Sequence, residues 1–163
     1  MFTALTALAI AVATAGEQRI DLVEFSIEPT ELRLGDCFTL SARAETTGVK
    51  LGSFLLRTAE DTRKEDVIPG FPIYANGRYY VAEDGKYFLF DNGSLDRDPR
   101  DRAFSIRIDT KNWKDGRYLF AFFASCRPSD GPFVAVRHDF AVTVREDRVR
   151  VEDLGATGLR SRM

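Results

Sequence analysis

The chain has 163 residues, the length of a single domain. Hydrophobic residues make up 44%, including 13 Phe, enough for a substantial core, and 23 basic against 25 acidic residues leave a net charge of −2. The arginines are scattered among aspartates with no Lys/Arg block, which argues against a nucleic-acid footprint.

Residues 1–16, from Met1 to Gly16, are apolar or small with no charge before Glu17. The run is shorter than the ~20 residues needed to span a bilayer. It ends on Ala13-Thr14-Ala15, a small-x-small cleavage pattern, so it reads as a signal peptide although its start has no Lys or Arg. The competing reading is a buried first helix. The rest of the chain has no long apolar run, so no transmembrane segment is expected after cleavage.

Ile20–Ile27 reads as a first strand whose apolar parity shifts at Leu22-Val23, the mark of a bulge. Pro29 stops it, and Leu32 and Leu34 make a short edge segment before the Gly35-Asp36 turn. Cys37–Ala44 alternates, with Phe38, Leu40, Ala42 and Ala44 on one face. Val49–Leu56 is a third strand, followed by a charged loop over 58–66 and a short Val67-Ile68 piece closed by Pro69-Gly70-Phe71-Pro72.

A meander comes next. Ile73-Tyr74-Ala75 and Arg78–Val81 flank Asn76-Gly77, and Asp84-Gly85 leads into Lys86–Phe90. Asn-Gly and Asp-Gly between apolar runs are strong hairpin signals, because both turn residues tolerate positive φ. Ala103–Ile108 is another strand, and residues 110–115 around Trp113 form a loop or a single helical turn. Two long strands follow, one entered through Asp115-Gly116-Arg117-Tyr118 and one, Val134–Val144, alternating apolar and polar almost without a break. After Val144 only Val149 and Val151 continue that alternation; residues 146–163 read as a polar C-terminal tail, either a linker or a last edge strand. No long amphipathic helix and no repeat interrupts these strands, so the chain is expected to be an all-β sandwich or barrel over 17–145.

Asp115-Gly116-Arg117-Tyr118 resembles the start of strand F in immunoglobulin-like domains, where a tyrosine hydroxyl bonds back to the backbone at a corner. Phe120 stands where the usual cysteine would be. The Asp-rich stretch Leu89–Ser105 resembles the Asp/Gly-rich connection found in exported bacterial immunoglobulin-like domains. The resemblance implies an antiparallel immunoglobulin-like β-sandwich with an extra hairpin meander. It implies no particular activity, since sandwiches host unrelated roles.

Candidate sites follow from residue chemistry. Cys37 and Cys126 are an even pair in a chain read as exported, which points to a disulfide. The resemblance weighs against it: in immunoglobulin-like domains strands B and F run in the same direction, so Cys37 at the start of one and Cys126 at the end of the other would be separated by much of the ~26 Å from Tyr118 to Cys126, while a bridge needs Cα atoms within ~7 Å. Asp91, Asp96 and Asp98 are weak calcium candidates. Arg97, Arg100 and Arg102 interleave with them, so a salt-bridged surface turn is favoured and no metal or cofactor is expected. Asn92-Gly93-Ser94 also fits a glycosylation sequon.

His138 is the only histidine, on the parity of Val136 and Phe140: a core-edge histidine with a bonded tip, or one exposed by a bulge. A Cys126–His138 pair beside Asp139 is the sole enzyme-like arrangement, and it ranks last because catalysis needs the two in contact. Tyr79, Tyr80 and Tyr87 could stack on a sugar or grip a protein, although cross-strand aromatic packing is the plainer reading. Arg127 and Asp130 lie in the Pro-stiffened loop before Val134, at an end of the sandwich where binding residues often sit. Tyr118 and Phe140 are read as structural. The expectation is an exported, non-catalytic module with a protein or glycan partner outside the cytoplasm, in the periplasm, at the cell surface or secreted. The alternative is a carbohydrate-binding or accessory subunit of a secreted hydrolase.

Overall fold

The computed structural model describes residues 18–58, 73–75, 78–80, 102–126 and 134–157. These contain ten strands and no helix. They are β1 (Arg19–Glu28), β2 (Glu31–Arg33), β3 (Cys37–Thr47), β4 (Ser53–Thr58), β5 (Ile73–Ala75), β6 (Arg78–Tyr80), β7 (Ala103–Asp109), β8 (Gly116–Cys126), β9 (Val134–Arg145) and β10 (Arg148–Thr157). Their hydrogen bonding builds two antiparallel five-stranded sheets, in the orders β1-β3-β7-β5-β6 and β2-β10-β9-β8-β4.

Alternation decides which side of each strand is buried. Phe38, Leu40, Ala42 and Ala44 of β3 and Phe104, Ile106 and Ile108 of β7 are buried, while their neighbours turn outward. Facing them are Phe54 and Leu56 of β4, Phe120 and Phe122 of β8, and Phe140, Val142 and Val144 of β9. The two layers meet through rings. Phe54, Phe104 and Phe122 stand 5.4–5.6 Å apart, and Phe25 lies 5.7 Å from Phe122. Offset and tilted contacts of this kind add about 0.5–1.5 kcal/mol each beyond area burial.

The parity shift expected in β1 is present. The register with β3 jumps between Leu22 and Glu24, and the extra residue, Val23, is turned out to solvent. The short β2 is an edge, as the Leu32/Leu34 segment implied. β5 pairs with β6 in the register expected of the Asn76-Gly77 hairpin, Tyr74 opposite Tyr79.

Two boundaries differ. β4 begins at Ser53 rather than Val49, because Gly48 takes φ 68° and turns the chain. Val49 and Leu51 still pack on the core, which explains their apolar character without strand pairing. The larger difference is at the C-terminal end. The segment read as a polar tail beyond residue 145 carries β10, which lies between β2 and β9 and buries Val149 and Val151. Its polarity is that of the outward side, where Arg148, Arg150 and Glu152 alternate with the valines.

The corner before β8 closes one end. Tyr118 is buried, and its hydroxyl donates to the Lys114 carbonyl at 2.6 Å. Trp113 meets its ring edge-on at 5.2 Å. The buried Thr110 Oγ1 donates to the Asp36 carbonyl and accepts from Gly35 N, tying the β2–β3 turn to the exit of β7.

Candidate functional site

The described residues singled out from sequence lie on different strands. Tyr79 and Tyr80 form part of β6, at the far edge of the first sheet. Tyr87, Asp91, Asp96, Asp98, Arg127 and Asp130 lie outside the described residues. Among the described residues no group of three or more His, Cys, Asp or Glu is placed to hold a metal, and no helix is long and apolar enough to cross a membrane.

Cys37 and Cys126 are free thiols. They belong to different sheets, Cys37 opposite Asp109 and Cys126 opposite Val134, at the far end of β8 from the Tyr118 corner. Burial pushes the Cys126 thiol above its ordinary range, the opposite of what a nucleophile needs. His138 sits opposite Phe122, four positions along β8 from Cys126, or about 13 Å at ~3.3 Å per residue. The histidine instead stacks on Phe25 at 3.8 Å, and its Nε2 lies 2.6 Å from Asp153 Oδ1. It is the core-edge histidine with a bonded tip, and it joins β1, β9 and β10.

A different cluster emerges on the outer face of the second sheet. The first sheet's outer face is polar: Arg43 bonds Glu24 and Glu45, and Ser41 meets Ser105. The Arg43 guanidinium holds the Glu24 carboxyl below the usual carboxylate range. The second sheet is apolar at the middle of its outer side. There Ala121 and Phe123 form a cluster of their own with Leu55 and Leu119, separate from the main core. Every residue from Phe120 to Cys126 is buried, so β8 has two dry faces.

Register brings charge to this cluster. Leu55, Phe123 and Arg137 are cross-strand neighbours, as are Arg57, Ala121 and Asp139. The Arg57 guanidinium lies 4.8 Å from the centre of the Phe123 ring, and that of Arg137 lies 6.0 Å away. Arg137 Nε donates to Asp139 Oδ1 at 2.6 Å, and both side chains are mostly buried (16% and 22% exposed). Beside them Ser53 Oγ and Ser125 Oγ are 3.1 Å apart. A guanidinium held over an aromatic ring presents a flat, weakly hydrated cationic surface suited to bidentate recognition. Aromatic and arginine anchors around an apolar centre are also the composition of protein-interface hot spots.

Sequence reasoning missed these residues, but one signal was available. Leu119–Ala124 is apolar on both parities, which marks a strand covered on two sides. Compared with known proteins, the chain matches no family model, no curated protein and no solved structure.

Proposed function

We propose that the chain is an exported, non-catalytic interaction module built on an immunoglobulin-like sandwich, with a protein partner outside the cytoplasm. The observation that carries the reading is the outer side of β4, β8 and β9, where the half-buried Leu55 and Leu119 border a buried Phe123 that lies beneath Arg57 and Arg137. An ordinary solvated sheet face alternates to polar residues there.

The immunoglobulin-like part of the reading draws on strand partition. In constant-type immunoglobulin sandwiches strands A, B, E and D share one sheet and C, F and G the other. Taking β1, β3, β7 and β5 as the first group and β4, β8 and β9 as the second reproduces that division. The Tyr118–Lys114 bond matches the tyrosine corner at the start of strand F. β10 beside β9 with β2 beyond it, and β6 at the edge of the first sheet, are the departures from that pattern. Export rests on the uncharged leader over 1–16.

The test is a photo-reactive amino acid replacing Leu119 in cells that produce the protein. A discrete protein adduct, weakened by Arg137→Glu, is expected; no adduct at any exposure removes the reading. The alternative, carbohydrate binding, rests on Tyr79 and Tyr80 of β6, the edge strand of the first sheet. It predicts glycan retention that Tyr79→Ala abolishes and Arg137→Glu leaves intact. Intact mass of the mature protein tests export: loss of the leader is expected, and a full-length cytoplasmic species refutes it.

A further inference from the structure

Away from the Phe123 cluster, the β2 end of the second sheet sets arginines side by side. Register sets Arg33 of β2 opposite Arg148 of β10, and Arg148 opposite Arg145 of β9, one arginine on each of three adjacent strands. Their neighbours Leu32, Val149 and Val144 face the core, so the three arginines leave by the outer side, and all three are exposed. The next row holds Glu31, Arg150, Thr143 and Arg117.

Neighbouring strands are ~4.8 Å apart, and like charges directly opposite one another oppose sheet formation. An arrangement of three guanidinium groups in one row therefore needs a reason. Acidic residues are at hand: Glu31, Asp36, Glu146 and Asp147 line the same groove of about 700 Å³. None of them is ion-paired with the row. Among the described residues Arg33, Arg145 and Arg148 form no ion pair, and the nearest pairs, Glu152 with Arg150 at 3.8 Å and with Arg117 at 3.9 Å, lie one row or more away. The backbone of the turn is also braced. Glu146 N donates to Asp115 Oδ1, and the Asp147 carbonyl accepts from Leu34 N, which fixes β2 against the β9–β10 turn. The row is thus carried on a braced platform.

We propose that this groove binds a phosphate group, with Arg33, Arg145 and Arg148 as its ligands. Planar guanidinium forks match a tetrahedral oxyanion in a bidentate way, and several on one row satisfy more of its oxygens than one alone. Four carboxylates balance the four arginines of the groove lining, so an anion is held by short-range contact with the guanidinium row rather than by a net field. Two sources supply such a group, a small phosphorylated molecule or the headgroup of an anionic phospholipid. The proposal stands apart from the protein-partner reading, which concerns the Phe123 cluster.

The experiment has two arms. Calorimetric titration uses inorganic pyrophosphate; co-sedimentation uses vesicles of phosphatidylglycerol, with phosphatidylcholine as the control. Each is run on the full chain, on Arg148→Gln, on Arg33→Gln with Arg145→Gln, and on Arg19→Gln, which lies on the opposite sheet. Circular dichroism checks that every variant is folded. Saturable binding in at least one arm, weakened about tenfold or more by Arg148→Gln and by the double variant but not by Arg19→Gln, is expected. Pyrophosphate binding without vesicle binding identifies the small-molecule source, and vesicle binding identifies the headgroup. No saturable binding in either arm, or equal loss in Arg19→Gln, overturns the proposal. Both results leave the Leu119 cross-linking outcome untouched.

Discussion

Tyr118 shows how much one side chain decides. Its ring is buried against Trp113 and its hydroxyl reaches the Lys114 carbonyl four residues back, so the turn into β8 is held by a bond as well as by packing. Tyr118→Phe keeps the ring and leaves the carbonyl without its donor. It is expected to cost about 1–2 kcal/mol, read as a fall in the denaturant midpoint; an unchanged midpoint would reduce the residue to a packing aromatic. Burial also lifts the phenol above its ordinary 10.0 and the Cys126 thiol above its ordinary 9.0. For a group raised in the folded state, the stability it contributes is complete below the unfolded value and is lost as pH rises through the folded one. Stability should therefore decline above pH about 9, and Cys126→Ala should flatten the first part of that decline whatever it does to the plateau. The Tyr118 turn was legible because its signal is local, Asp115-Gly116-Arg117-Tyr118. The Arg57–Phe123–Arg137 cluster was not, because its three residues come from three strands and meet only once the register is known.

Among the elements, β9 was read best and β10 least well. In β9 the parity of Phe140, Val142 and Val144 points into the core, and Phe140 stacks on Phe120 at 5.0 Å with planes 13° apart. Phe140→Ala should cost about 3–5 kcal/mol through lost transfer energy and the cavity left behind. β9 lies between β8 and β10, so its amides should exchange slowest, those of Phe140 and Val142 above all. Fast exchange at both positions would contradict a central strand. β10 was hard to read for a physical reason. Its alternation lasts only from Arg148 to Glu152 before the register breaks between Asp153 and Gly155, where Gly155 adopts φ 92° and Leu154 is turned out to solvent. A bulge inverts the parity that pattern reading relies on. Charged outward residues then make a half-buried strand resemble a solvated tail.

At the scale of the molecule, β10 decides whether the second sheet holds together. β2 pairs with β10 and with no other described strand, so it has no place in the sheet unless β10 lies between it and β9. The His138–Asp153 contact ties β10 to β9, and the stacking of His138 on Phe25 reaches β1 in the opposite layer. Ending the chain at Arg145 removes all of this. Burial of Val149 and Val151 is lost, about 1.5–3 kcal/mol for each side chain. Val142 and Val144 lose their cover on one side, and Leu34 N loses the Asp147 carbonyl it bonds. Set against a typical net stability of 5–15 kcal/mol, that loss takes up much of the margin. A chain ended at 145 should unfold at a much lower denaturant concentration or fail to fold, whereas one ended at 157, which keeps β10, should match the full chain. The two truncations bracket the strand. Equal stability at 145 and 157 would mean that β10 is a passive tail, and with it would go the braced row of Arg33, Arg148 and Arg145.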